Sequence, residues 1–302
     1  MPFLTSPAST MLFLFAINPA SGGTDKSGWE NGIRDFFNAS PHGFELLRLT
    51  GQGDEARLRQ RVASLRPDVL VAVGGDGTVK LVAERAMEAN LPLGILPAGS
   101  ANGMARELSL PDDPEAALGV LVNGQLRAVD VLEINGEPCL HLSDIGLNAQ
   151  LVKYALVNNW KGKLGYARAA LRVLLRRRLL TVRLRVDGRT VQRAAFMVVL
   201  ANARVYGTGA AINPDGDLSD GRFEVVVLRR LSFLAFLNMF WRFQPFDPRN
   251  VEIFPTTEVT IQTKRPVHFQ VDGEYRGKVS RLTARILPGQ LRVLMPGGAP
   301  PA

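Results

Sequence analysis

A single cysteine, Cys139, stands among the 302 residues, so the chain forms no intrachain disulfide and carries no cysteine-rich zinc site. One thiol also suits a reducing compartment. Histidine is almost as scarce: His42, His141 and His268 are scattered and supply no ligand cluster. Long apolar runs are missing. Met11–Ile17 is far short of the roughly 20 residues a helix needs to cross a bilayer. Met1–Thr10 lacks the basic start of a secretory signal and reads as a leader before a buried strand. There is no Gly-x-x-x-x-Gly-Lys-[Ser/Thr] loop, and no Gly-x-Gly-x-x-Gly in strand context, which excludes Walker-type NTPases and standard dinucleotide-binding dehydrogenases. No internal repeat is present.

What remains is ordinary globular composition, 46% hydrophobic and 21% charged. The length accommodates two domains, each able to bury a core. With 36 Lys and Arg against 28 Asp and Glu, the net charge of +8 favours an anionic partner: a nucleotide, a nucleic acid or a membrane surface.

Residues 1–128 alternate short apolar runs with helical patterns. Strands are expected at Leu12–Ile17, Phe44–Leu49, Val69–Val73 and Leu93–Leu96, with helices at Trp29–Asn38, Gly53–Leu65, Thr78–Asn90 and from Ala101 to Leu108. Such alternation predicts parallel strands joined by crossover helices, a doubly wound α/β domain that binds ligands beyond the carboxyl ends of its strands. Residues 129–302 are β-rich and predict a mostly antiparallel sandwich. Its expected strands are Val129–Ile134, Glu137–Leu142, Thr181–Val186, Arg193–Asn202, Arg222–Leu228, Val251–Thr263, Val267–Val271 and Leu291–Met295. Helical patterns at Leu151–Arg178 and Ser232–Phe240 interrupt them, and the last strand or tail has the option of returning to the first domain.

The most informative stretch runs from Val69 into Gly74, Gly75, Asp76, Gly77 and Thr78, where a buried strand ends in a glycine turn and a helix follows. Glycines let a phosphate approach the main-chain amides, and the helix start adds free N–H groups. Asp76 would repel that phosphate unless a cation or a substrate hydroxyl lay between them, which points to Mg²⁺ or acid–base work. A second turn, Pro97-Ala98-Gly99-Ser100-Ala101-Asn102-Gly103, repeats the arrangement. Its Ser100 and Asn102 can donate to phosphate or base, or simply cap a helix. Asn18 to Gly23 after the first strand and Thr50 after the second add further polar turns, so all of them point to one nucleotide crevice.

Asp215, Asp217 and Asp220 place three carboxylates within six residues, a spacing that suits either a hard cation or a solvated turn. Asp272-Gly273-Glu274 has the form of a hairpin turn. Lys161–Arg178 holds seven basic residues and no acid, with Arg168, Arg172 and Arg176 along one helical face. That segment reads equally as a basic interfacial helix or as a core-packed helix with a solvated basic face. Leu231–Phe243, rich in Phe and Trp, reads as core or as an acyl-chain lining. The basic run lacks interleaved aromatics and groove-reading motifs, so no nucleic acid is expected.

Together, Asn18–Gly22, Gly74–Thr78, Leu96–Arg106, Asp217–Gly221 and Asp272–Glu274 resemble the diacylglycerol kinase catalytic-domain family, in particular its soluble bacterial lipid kinases, in order and over nearly the whole chain. The Gly-Gly-Asp-Gly-Thr box is shared with NAD kinases and phosphofructokinase-like enzymes, whereas the second box and Asp-Gly-Glu are specific to lipid kinases. The resemblance implies an NAD kinase/diacylglycerol kinase-like fold, with ATP between an α/β domain and a β-sandwich and a lipid hydroxyl as acceptor. It implies ATP contacts at Asn18, Thr50, Gly74, Gly75, Asp76, Gly77, Thr78, Gly99, Ser100 and Asn102. It further implies Asp272 as general base, Glu274 orienting it or helping to hold Mg²⁺, Asp76 anchoring catalytic Mg²⁺, and a structural Mg²⁺ on Asp217, Asp220 and the Arg222 carbonyl. Diacylglycerol kinases usually carry Gly-Thr-x-Asn-Asp in the second box. Here it reads Gly99-Ser100-Ala101-Asn102-Gly103, closer to sphingoid-base and ceramide kinases. The expectation is a cytoplasmic lipid kinase transiently peripheral to the inner membrane surface, touching it through Lys161–Arg178, with homodimer formation left open. An NAD kinase-like enzyme for a soluble acceptor and a catalytically silent lipid-binding regulatory protein are the competing readings.

Overall fold

The computed structural model describes residues 10–23, 27–157, 178–204, 212–213, 216–230 and 248–297. The chain divides into two compact units, Met1–Ala128 with Leu291–Ala302, and Val129–Gln290.

In the first unit, strands β1 (Leu12–Ile17), β2 (Gly43–Arg48), β3 (Val69–Gly74) and β4 (Leu93–Pro97) alternate with helices α1 (Ser27–Asn38), α2 (Asp54–Leu65) and α3 (Asp76–Ala89), and α4 (Gly103–Glu107) and α5 (Pro114–Asn123) follow. The strands are parallel in the order β4-β3-β1-β2. β3 is buried along its entire length, which explains why Val69 to Val73 is a continuous apolar run. Phe13, Phe15, Ile33, Phe37, Val71 and Leu121 close the core, with Phe37 edge-on to Phe13 and Phe15. α5 went unforeseen in the sequence pattern. It starts where the Asp113 carboxylate accepts from the Ala116 amide at 2.8 Å, with Pro114 in its first turn.

The second unit contains β6 (Glu137–Cys139), β7 (Leu142–Gly146), β8 (Leu180–Val186), β9 (Arg189–Ala195), β10 (Met197–Ala201), β11 (Phe223–Leu228), β12 (Val251–Thr256) and β13 (Glu258–Val271), with α6 (Leu147–Val157) after β7. β5 (Gln125–Ile134) enters it and β14 (Glu274–Met295) leaves it. β12, β11, β10, β7, β13 and β14 lie side by side in that order, and β8 and β9 continue from β13. The pairings are antiparallel throughout this set. Leu184, Val198, Leu200, Phe223, Val225, Ile261 and Val271 build its main core. This is the expected β-sandwich unit. The far end of β14 belongs to the first unit, where Val293 pairs in parallel with Leu93 of β4.

Local differences from the sequence pattern have identifiable causes. The single strand expected over Glu137–Leu142 is broken, because the Leu140 and His141 amides turn to Asp272. Arg193–Asn202 is two strands rather than one. The helix expected from Leu151 starts at Leu147, held by the Asp144 carboxylate on the Ala149 amide at 2.8 Å. Residues 158–177 and 231–247, which include the basic run up to Arg177 and the whole Phe- and Trp-rich stretch, lie outside the described residues.

Candidate active site

In the first unit the glycine turns are bonded to one another. Asn18 donates from Nδ2 to Thr78 Oγ1 at 3.0 Å, its amide donates to the Val73 carbonyl, and its Oδ1 accepts from Ala20 N. Ser21 Oγ reaches the Ala98 carbonyl at 3.3 Å. The Ala98 amide bonds to the Gly74 carbonyl at 3.0 Å. Gly75 caps α3 in an extended conformation, its carbonyl accepting from Thr78 and Val79. Between the two turns the backbones nearly touch: a Cβ on Gly99 would lie 2.3 Å from Gly75 Cα. Glycine at 99 is therefore required by space.

Asp76 does more than follow a glycine. Its Oδ1 accepts from the Met104 amide at 3.0 Å and so fixes the start of α4. Both ends of the Asn102 amide are used inside its own turn, Oδ1 on Gly99 N at 2.8 Å and Nδ2 on the Pro97 carbonyl at 3.2 Å. Asn102 thus shapes the loop, with a left-handed φ of 52°. Ser100 and Gly77 are exposed at the turns' surface. Thr50 is engaged at the start of α2, where its amide and hydroxyl both donate to Asp54. Burial opposes charge on Asp54, but the Thr50 and Gly51 amides, the Thr50 hydroxyl and Arg57 hold its carboxyl below the usual range.

In the second unit, Asp272 and Gly273 form the two-residue turn between paired Val271 and Glu274, with φ of 49° and 82°. Positive φ at both positions is the hairpin turn that Asp-Gly favours. The Asp272 carboxylate is half-buried and gathered into the 139–141 segment. Oδ1 accepts from His141 N at 2.9 Å and from the Cys139 thiol at 3.3 Å, and Oδ2 accepts from Leu140 N at 3.1 Å. The carboxylate is oriented by main chain. Glu274 instead accepts from Arg276 at 2.6 Å, and Arg276 also grips Glu137.

Behind the turn lies a buried network. Gln270 Oε1 accepts from Gly273 N at 2.7 Å, and Gln270 Nε2 donates to Asp144 Oδ2 at 2.5 Å. Asp144 and Gln270 are each only 1% exposed. The same Asp144 caps α6, so the turn and that helix share one carboxylate.

The acidic turn is pinned by a residue that sequence reasoning missed. Asp130, 3% exposed, accepts from Gly221 N and Gly289 N, each at 2.7 Å, and its own amide donates to the Leu218 carbonyl at 2.6 Å. Asp217 Oδ1 accepts from Ser219 N and Oγ, and Asp220 Oδ1 from Arg222 N at 2.9 Å. Two carboxylates and the adjoining carbonyls are hard oxygen donors of the kind Mg²⁺ prefers. Among the described residues no three His, Cys, Asp or Glu side chains come together, so an ion here would draw on main-chain oxygen and water as well. No described helix is long and apolar enough to cross a membrane.

The missed residues share a trait. Met104, Leu140 and His141 act through main-chain amides, which leave no side-chain signature. Asp130, Asp144 and Gln270 sit inside strands, where a polar residue among apolar neighbours was the available sign.

Comparison with known proteins places these features. Residues 12–134 match the diacylglycerol kinase catalytic domain, and residues 143–295 match the YegS C-terminal NAD kinase beta sandwich-like domain. A diacylglycerol kinase of Bacillus subtilis (strain 168) is 26% identical over 250 residues, covering 80% of each chain. A diacylglycerol kinase of Mycobacterium tuberculosis (strain ATCC 25618 / H37Rv) is 29% identical over 270 residues, covering 84% of this chain and 86% of that one. Among solved structures, a diacylglycerol kinase from Bacillus anthracis str. Sterne superposes with a TM-score of 0.74 at 20% identity, covering 96% of this chain and 98% of that chain, and shares the fold. With a catalytic-domain match and a sandwich-domain match in sequence, the chain belongs to the diacylglycerol kinase family.

Proposed function

We propose that this chain transfers the γ-phosphoryl group of ATP to the hydroxyl of a membrane lipid, a diacylglycerol or a related glycerolipid or sphingoid lipid, with Asp272 as proton acceptor. The observation that carries the reading is the Asp272 carboxylate, presented on a hairpin turn and held by two amides and a thiol. A base so fixed needs no reorganisation when the acceptor arrives. The lipid O–H gives its proton to Asp272 as its oxygen bonds to the γ-phosphorus. The bond from that phosphorus to the β–γ bridging oxygen breaks, and ADP leaves. In a loose transition state the proton moves late, so an ordinary carboxylate suffices.

Residues 1–128 supply nucleotide binding in this reading, through the amides of the Gly74–Thr78 and Gly99–Asn102 turns and the Asn18–Thr78 bond that braces them. Asp76 uses one oxygen to order α4, and its carboxylate would hold the Mg²⁺ that comes with ATP. Bound with ATP, Mg²⁺ neutralises charge on the phosphoryl oxygens. Asp217, Asp220 and the Arg222 carbonyl hold a second, structural ion that stiffens the sandwich. Glu274, tied to Arg276, keeps a negative charge beside the turn. The enzyme acts at the cytoplasmic membrane surface, which it meets through Lys161–Arg178.

The test is labelled ATP with Mg²⁺ and vesicles containing diacylglycerol or a sphingoid base, with soluble NAD assayed in parallel. Label in the organic phase is expected, and Asp272→Asn should abolish it while ATP binding persists. Label on NAD alone would favour the soluble-acceptor reading, and ATP binding with no transfer would favour a silent regulatory protein.

A further inference from the structure

Three arginines on the sandwich strands are matched with acids: Arg193 with Glu252, Arg276 with Glu137 and Glu274, Arg285 with Glu133. Lys153 and Lys278 meet no carboxylate among the described residues, and what sets them apart is where they converge. Both act on one group. Lys278 lies directly opposite His268 in the β13–β14 ladder. Lys153 comes from α6, which packs on β13. His268 Nδ1 is 2.7 Å from the Tyr275 hydroxyl, with the two rings 5.6 Å apart. Burial first, and then the Lys153 and Lys278 ammonium groups, push the imidazole down to about 4. Near neutral pH the cluster therefore holds two ammonium ions, a phenol and an uncharged imidazole.

Two cations beside a hydroxyl and an imidazole form a donor set for a compact, multiply charged oxyanion, and phosphate fits that description. Tyr275 stands three positions beyond Asp272 on the same hairpin. A neutral acceptor lipid brings no phosphate of its own, so the phosphate at this spot comes with a neighbouring lipid or with the product. We propose that Lys153, His268, Tyr275 and Lys278 form a phosphate-recognition subsite for the headgroup of an anionic phospholipid, beside the acceptor position. The idea rests on the lipid kinase reading for its ligand, but its binding readout is independent of turnover.

The experiment measures flotation of the full chain with neutral phosphatidylcholine vesicles and with vesicles containing phosphatidic acid or phosphatidylglycerol, alongside turnover on each. Lys153→Ala/Lys278→Ala should weaken binding to the anionic vesicles at least about tenfold and erase the anionic stimulation of turnover, with binding and turnover on neutral vesicles unchanged. Tyr275→Phe, which removes a donor without altering charge, should lose part of the same preference. The comparison variant Lys264→Ala/Arg265→Ala removes equal charge from exposed positions of β13 and should keep it. Equal losses in both double variants would reduce the cluster to diffuse surface charge and overturn the subsite. So would stimulation of turnover by inorganic phosphate or glycerol phosphate in place of the lipid, since the occupant would then be a free phosphate. Lipid phosphorylation that fails in every vesicle, with the cluster-dependent flotation intact, would sink the kinase reading and leave the subsite standing.

Discussion

Replacing Gly99 by alanine is the sharpest perturbation available in the glycine turns. The new Cβ would sit 2.3 Å from Gly75 Cα, 2.7 Å from Asn102 Oδ1 and 2.9 Å from Gly75 N. Carbon atoms rest at about 3.5–4.0 Å, so the two turns must part by roughly an ångström or more. Two of the three obstructing atoms are backbone and cannot rotate aside. Gly99 is not among the positive-φ glycines, so the penalty comes from space rather than from conformation. Overpacking of this kind costs about 1–3 kcal/mol, which lowers the melting temperature by several degrees for a protein of this size. The effect on turnover should be larger, because displacing a binding loop by about 1 Å costs on the order of a hundredfold. Steady-state titration of ATP on lipid vesicles, with a thermal melt alongside, separates the two. The expected result is a raised KM for ATP and a fall in kcat/KM out of proportion to the loss of stability. Gly32→Ala, in α1 with nothing within 4 Å of the added atom, is the matched control and should change neither. A Gly99→Ala enzyme with the parent's KM and melting point would show that the turns do not close on each other as described.

Gln270→Leu should strand the Gly273 amide and take one donor from the Asp144 carboxylate, which keeps Asn148 and Ala149. Each unsatisfied group costs about 1–3 kcal/mol, so a lower melting point and a reduced kcat are expected, with Gln270→Glu no adequate rescue because it faces Asp144. Asp130→Ala releases the Gly221 and Gly289 amides together, and faster proteolysis or hydrogen exchange at residues 217–221 would report it, whereas unchanged exchange there would refute the clamp. His268 has a folded pKa near 4, below the 6.5 of free imidazole, so the stability it supports is complete above about pH 6.5 and drains away as pH falls toward 4. Protonation there is opposed by burial and by Lys153 and Lys278. Melting curves of His268→Gln between pH 7 and 4 should accordingly be flatter than those of the parent, and parallel curves would contradict the assignment.

The first unit was easy to read because β1, β3 and β4 are buried on both faces. Val69 to Val73 could be nothing but an inner strand, and the glycines after it marked a tight turn. The glycine turns at the ends of β3 and β4 were legible for the same reason. Harder were features whose cause lies far away in sequence. The break between Cys139 and Leu142 is made by Asp272, more than a hundred residues on. β14 escaped notice over Glu274–Leu287 because Arg276, Lys278, Arg281 and Arg285 alternate with its inward residues, so a half-exposed strand reads as polar chain. Thr50 and Asn102 were picked out correctly as polar turn residues, yet the structure uses their side chains to shape the loops, a distinction that side-chain type alone cannot convey.

The parallel partner of β4 comes from Leu291 to Met295, after the whole sandwich sequence has intervened. During synthesis the earlier half must therefore wait, its sheet one ribbon short, until residues 291–295 are made. A nonsense mutation near residue 290 would leave the sandwich sequence whole and remove the strand beside β4, so the damage would surface in the half that was made first.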